Sequence, residues 1–301
     1  MAYFPWKRAL RSKTVWFSLV VMLTLTLVAV LAPWLAPHDP YKMDASQSYL
    51  PPMWSDNPFN PGRPDFPLGS DRYGRDILSR FIYGTRTAVV LALIAVPLAA
   101  LIGTLVGVIA GYAGGFYEML LMRLTDVINS LPGIMFLVIV VLILRERFAP
   151  TWANGMITLI IGFAAVAWVG LARLVRSSVL RLKGQSFIEA AHSLGASPWQ
   201  IISKHLLPNV GHLIAAWMII NIPAVILLEA VLGYIGVGVT SSVDGAEFSV
   251  VSWGGLFFSG RSAISRNPLI LVIPSLCILL ISMSFLLLGD FLNEITRQEP
   301  A

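Results

Sequence analysis

Apolar residues fall into six runs, at about 15–36, 87–112, 118–144, 154–175, 212–237 and 268–290. Each is long enough to cross a bilayer as a helix, which takes roughly 20 apolar residues. A lipid interior admits only structures that pair every backbone N–H and C=O internally. The pattern therefore predicts an all-α, polytopic bundle of six transmembrane helices. Between the fourth and fifth runs it breaks at residues 186–208, SFIEAAHSLGASPWQIISKHLLP, a polar island of helix formers. Ser186 and Glu189 read as a helix cap with its capping-box partner, and Gly195 as a left-handed stop. Ser197, Pro198 and Gln200 read as a second cap, first turn and box partner. Two starts around one stop predict a hairpin of two short helices outside the membrane.

The hairpin also has a chemical character. Ala190, Ala191, Gly195 and Ala196 keep it small, while Trp199 and Ile201 are unfavourable to leave in water. Small residues with desolvatable anchors suit a docking knuckle; a solvated loop is the plainer alternative. Residues 37–70 are rich in proline, aspartate and asparagine and lack a helical period, so they read as an ordered or semi-ordered loop. The chain then divides into an anchor helix plus long extracytoplasmic loop (1–86), a five-helix core carrying the hairpin (87–292) and a cytoplasmic tail (293–301).

Composition narrows the class. With 56% apolar and 12% charged residues, the chain is not a soluble domain. Its net charge of +5 is scattered over juxtamembrane positions and forms no single cationic patch, so a nucleic-acid partner is set aside in favour of membrane lipid. Lys7, Arg8, Arg11 and Lys13 precede a first run too long for a signal peptide, which predicts an uncleaved anchor with its N-terminus in the cytoplasm. Six crossings then place the C-terminus and the hairpin there as well. The 37–86 segment carries Lys42, Arg63, Arg72, Arg75, Arg80 and Arg86, offset by Asp39, Asp44, Asp56, Asp65, Asp71 and Asp76. Long loops weigh little in orientation.

The chain has no Gly-x-x-x-x-Gly-Lys-Ser/Thr loop with which to bind and split ATP, and no hydrolase signature. His38, His192, His205 and His212 are scattered, so no metal site is expected, and Cys277 has no partner for a disulfide. Gly103, Gly107 and Gly111 recur every four residues, a stripe that lets another helix approach closely. Pro132–Gly133 and Pro223 interrupt the third and fifth runs as fixed kinks or as bends along a transport path. Arg123 and Asp126, three apart, can pair on one helix face. Glu229 has no basic neighbour in its run, so it either belongs to the path or makes a hydrogen-bonded contact between helices.

At these residues the chain resembles a known family. Glu189-Ala190-Ala191, three residues, Gly195, nine residues and His205-Leu206-Leu207-Pro208 are similar to the EAA loop of bacterial and archaeal ABC-importer permeases. That family usually has isoleucine at the place of His205; its peptide-importer branch resembles this chain in His205-x-Leu207-Pro208-Asn209. Pro67 to Arg80 with Tyr83-Gly84-Thr85-Arg86, Glu229 to Gly238, and Ser252-Trp253-Gly254 are similar to the C-type permease subunit of dipeptide and oligopeptide importers. The resemblance implies a type I importer permease fold in the bacterial or archaeal cytoplasmic membrane. It implies a homologous B-type permease, two ATPase subunits or one fused pair, and an extracytoplasmic substrate-binding protein as partners. ATP and magnesium would sit on the ATPases, with no cofactor on this chain. Glu189, Ala190, Ala191, Gly195, Ala196, Ser197, Pro198 and Trp199 would couple to an ATPase, and Glu229, Asp126, Pro132 and Pro223 are candidates for the translocation path. Cargo other than peptide (a nickel chelate, glutathione, an oligosaccharide) suits the same machine, and an ion-driven secondary transporter is the remaining alternative.

Overall fold

The computed structural model describes residues 12–147, 152–238 and 250–297. The described residues form ten α-helices, in order: α1 Lys13–Leu35, α2 Ile77–Ala113, α3 Gly115–Ser130, α4 Gly133–Arg147, α5 Trp152–Lys183, α6 Ser186–Ser193, α7 Pro198–Ile201, α8 Leu207–Tyr234, α9 Trp253–Gly260 and α10 Leu269–Arg297. No strand forms among the described residues beyond an isolated bridge between Ser70 and Asp76. The all-α expectation holds. Among the described residues five stretches are long and apolar enough to cross a membrane: α1, α2, most of α5, α7 through α8, and Leu269–Phe291 of α10; the bent pair α3–α4, taken as one span, makes the sixth. The basic residues Lys7, Arg8 and Arg11 lie outside the described part. Helix α10 continues into the predicted tail, to Arg297.

The third run is interrupted where Pro132–Gly133 predicts, and the break is sharp. In place of one helix over 118–144, α3 and α4 meet at 93° across Leu131 and Pro132. Proline excludes the helical conformation from the residue before it, and Leu131 is extended at φ −88°, ψ 142°. Helix α3 carries Glu118, Arg123 and Asp126, whereas α4 is uncharged until its last turn. The bend lets the charged half leave the axis of the apolar half.

Helix α2 is the spine of the fold. Asp76 caps it by accepting from Ser79 N at 2.8 Å, and Gly114, at φ +68°, ends it. Its 37 residues make a rod of about 55 Å. The glycine stripe seats α5 as the spacing predicts: a Cβ on Gly103 would lie 2.7 Å from Trp168 O, and one on Gly107 2.6 Å from Ala172 O. One buried cluster gathers Leu91, Ala95, Ala99, Phe163, Ile226 and Trp253. A second joins Val108 of α2 and Leu171, Val175 and Val179 of α5 to Ile188, Ile201, Leu206 and Val210. This second cluster roots the polar island in the bundle.

Candidate functional site

The island is a knuckle held by backbone geometry. Helix α6 begins one residue earlier than its cap pattern predicts. Gln185 is the N-cap and uses no side chain; its carbonyl accepts from Ile188 and Glu189. Ser186 is therefore the first helical residue and closes no box with Glu189. The stop is as expected. Gly195 sits at φ +80°, the Ala196 N–H donates to Ala191 O at 3.0 Å, and the Gly195 N–H to His192 O at 2.9 Å, the paired bonds of a Schellman motif. The second start also forms. Ser197 Oγ accepts from Gln200 N at 3.3 Å, and Gln200 Oε1 accepts from Ser197 N at 2.8 Å, with Pro198 as first helical residue.

This second start does not open a separate short helix. After Ile201 the chain makes a π-turn over Ile202–Leu206, closed by the Leu207 N–H on Ile202 O, and runs straight into α8. The extra residue accommodates Pro208, which has no N–H to donate and would clash with the carbonyl one α-turn earlier. Pro198 to Tyr234 is thus one continuous helical segment.

Burial sorts the knuckle into root and tip. Ile188, Ile201 and Leu206 are fully buried, each contributing about 1.5–3 kcal/mol of apolar burial. Ile201, expected as a docking anchor, is root. The tip carries Trp199, 72% exposed, and Leu194, 89% exposed. Leu194 escapes sequence reading because a leucine before a stop glycine reads as the last apolar residue of its helix. Glu189, Ala190, Ser197 and Pro198 are exposed, Ala191 and Ala196 half-buried. Nothing lies within 4 Å of where a Gly195 Cβ would be, so its backbone angle, not crowding, calls for glycine.

Beside the knuckle, α3 and the last turn of α2 are tied to α5. Arg173 Nη2 meets Asp126 Oδ1 at 2.9 Å, Arg176 pairs with Glu118, and Lys183 Nζ reaches Tyr112 O at 2.8 Å. Asp126 therefore pairs across helices and not with Arg123 on its own face, which α3 leaves exposed.

The opposite end is closed by buried polar contacts. Asp71 accepts from Arg75 Nε at 2.8 Å, meets Arg75 Nη2 at 2.7 Å, and has Arg80 Nε 3.9 Å away, all three residues buried. Arg80 Nη1 donates to Pro40 O at 3.1 Å and His38 N to Ser79 Oγ at 2.9 Å, pinning the 37–76 loop to the first turns of α2. Trp253 is fully buried, donates from Nε1 to Phe81 O at 3.2 Å and stacks on Phe81, in space that Gly84 leaves open. Glu229 is 2% exposed. Its Oε2 accepts from Gly254 N at 3.3 Å, where Gly233 and Gly254 let α8 and α9 touch through backbone. Ser252 lies beside the same carboxyl, and among the described residues Glu229 Oε1 accepts no hydrogen bond within geometric limits. The cavity beside it is about 10 Å³ and otherwise apolar, with Leu91, Leu137 and Phe163 in its wall, too small and dry for cargo.

The four path candidates are not brought together. Glu229 joins α8 to α9, Asp126 faces Arg173 near the knuckle, Pro132 marks the α3–α4 bend, and Pro223 lies inside an unbroken α8. Among the described residues no group of three His, Cys, Asp or Glu could hold a metal.

Known proteins agree with this architecture. Residues 103–298 match the family described as the binding-protein-dependent transport system inner membrane component. Residues 4–52 match the N-terminal TM domain of oligopeptide transport permease C. The oligopeptide transport system permease protein OppC of Haemophilus influenzae is 30% identical over 288 residues, 96% of this chain and 85% of that protein. The dipeptide transport system permease protein DppC of Bacillus subtilis is 31% identical, over 96% of this chain and 83% of its own. The glutathione transport system permease protein GsiD of Escherichia coli is 34% identical, over 96% and 88%. In fold, the chain resembles a solved chain of the MetNI methionine ABC transporter in inward-facing conformations, with a TM-score of 0.57 at 20% identity, covering 73% of this chain and 98% of that one. A multi-pass helical bundle with these relatives is a membrane permease, the part of an ABC importer distinct from its ATPase. The chain belongs to the binding-protein-dependent transport system inner membrane component family.

Proposed function

We propose that this permease is the C-type subunit of an ATP-driven importer of di- and oligopeptides. It pairs with a homologous B-type permease to form the path, receives cargo from an extracytoplasmic binding protein, and rests on two ATPase subunits or one fused pair that hold ATP and magnesium. The observation that carries this reading is the two-sided knuckle. Its root (Ile188, Ile201, Leu206) is buried against α2 and α5, and its tip presents Leu194 and Trp199 to solvent. A rigid projection tipped with apolar side chains fits a groove on an ATPase. Closure of the ATPases on ATP would displace the tip, and the unbroken run from Pro198 to Tyr234 would carry that displacement into the bundle. Both termini and the knuckle then lie in the cytoplasm, and the 37–76 loop lies outside.

Gly195→Val tests the coupling. At φ +80° a β-branched residue is strained by about 1–2 kcal/mol, enough to distort the tip and not enough to unfold the chain. In proteoliposomes holding the whole importer, ATP-driven peptide uptake should fall while the ATPases stay bound. Normal uptake with normal ATPase association would refute the coupling role. Glutathione is the second cargo, favoured by the 34% identity to a glutathione-system permease. Ligand binding by the cognate binding protein separates the two.

A further inference from the structure

Five of the seven described arginines at the loop end are engaged, Arg63 and Arg86 being the others. Arg75 and Arg80 face Asp71, Arg72 reaches Tyr73, and Arg261 and Arg266 lie over Tyr234 and Tyr49. Arg86 is exposed and makes no hydrogen bond or ion pair among the described residues. It lines a cavity of about 300 Å³ with Tyr41, Tyr83, Thr87 and Val251. An adjoining cleft of about 400 Å³ shares both tyrosines and reaches Pro33 and Ala36 at the end of α1. Thr87 commits its hydroxyl to Val251 O at 2.6 Å. The Arg86 guanidinium and the Tyr83 phenol remain, and Tyr41, whose phenol oxygen bonds to the Val251 backbone, keeps its O–H to donate: a donor set for an anion. Among the described residues that line the cavity and the cleft, the one carboxylate is Asp39, which lines only the adjoining cleft and accepts from Tyr41 N.

Depth says which anion. From Thr87 to Ala113, α2 carries no charged residue, so Arg86 stands at the edge of the hydrocarbon. On α1, Trp34 is exposed just before the cleft, where aromatic side chains mark the headgroup level. Below Arg86 on the same face of α2 come Val90, Leu93, Pro97 and Leu101, all apolar and all at least partly exposed. A free anion or a hydrated peptide finds nothing along that stripe, whereas an acyl chain does. We infer that this cleft binds the phosphate of a membrane phospholipid on Arg86, Tyr41 and Tyr83, with an acyl chain lying along Leu93–Leu101. The site is independent of which cargo the importer carries.

Photolabelling of the complete importer tests it, using phosphatidylglycerol with a diazirine in its acyl chain and peptide mapping of the crosslink. Residues 90–101 should be labelled in the native protein. Arg86→Gln should reduce that label about tenfold, the loss expected when a charge-assisted contact goes, while Arg86→Lys and the distant Arg181→Gln stay within roughly twofold. A diazirine diacylglycerol, which lacks the phosphate, should label as weakly as Arg86→Gln. Equal labelling of native protein and Arg86→Gln, or by both probes, overturns the proposal. So does a native protein unlabelled at 90–101, which assigns the face to a partner helix. Displacement of the label by inorganic phosphate assigns the site to a free anion, and displacement by a dipeptide assigns it to cargo.

Discussion

The two ends of this bundle are built by opposite rules. At the knuckle, apolar side chains stand in solvent while backbone geometry, a Schellman turn and a capping box hold them there. At the loop end, charged and hydrogen-bonding side chains are buried: Asp71 between two arginines, Trp253 on Phe81, Glu229 on Gly254. Exposed apolar groups on a stiff frame are free to enter a partner. Buried polar pairs lock elements in place and punish separation, because a lone buried charge is costly. One end offers apolar groups on a rigid frame, the other holds its elements together through buried charge.

Mutations can break this contrast, and the loop end should respond most strongly. Asp71→Ala strands two buried guanidinium groups and should destabilise the chain by about 3–5 kcal/mol. Thermal unfolding of the purified permease would show a large drop; an unchanged midpoint would mean that the pairs are solvated. Leu194→Ala and Trp199→Ala should each weaken ATPase association by about 2 kcal/mol, roughly thirtyfold, with no change in unfolding. Titration of the ATPase onto reconstituted permease measures the first, and a matching loss of stability would place these side chains in the core instead. Glu229→Leu removes the acceptor of the Gly254 N–H and should cost about 1–3 kcal/mol locally. Hydrogen exchange over 250–260 should quicken in that variant and stay near native in Glu229→Gln, which keeps an acceptor. The smallest effect belongs to Asp126→Asn. Its pair with Arg173 is largely exposed, and the stability change should be a few tenths of a kcal/mol.

Local signals carried most of the knuckle and the spans. Ser197, Pro198 and Gln200 sit within one turn, so sequence spacing alone specifies the capping box, and Gly195 announces its own left-handed angle. Ser186 misled by one residue, because backbone bonding to the Gln185 carbonyl does not require a side-chain cap. Pro132 marked a break, but its 93° depends on how α3 and α4 each pack against α5. The Arg173–Asp126 pair joins residues 47 apart, and Glu229 meets Gly254 25 positions on; no periodicity encodes either. Ile201 and Leu194 exchanged roles for the same reason: which apolar side chain reaches α2 and α5 is decided in three dimensions.

The π-turn at Ile202–Leu206 has a consequence for how such a protein could be retuned. One surplus residue slips the phase of the helix by about 100°, so the heading of Trp199 and the register of α8 are set separately along one rod. Removing a single residue there would swing Trp199, and the buried Ile201 with it, about a quarter-turn around the axis, so the root against α2 and α5 would have to repack while the span above keeps its register. If the tip seats on an ATPase as proposed, its heading is thus adjustable by one amino acid together with the root that holds it.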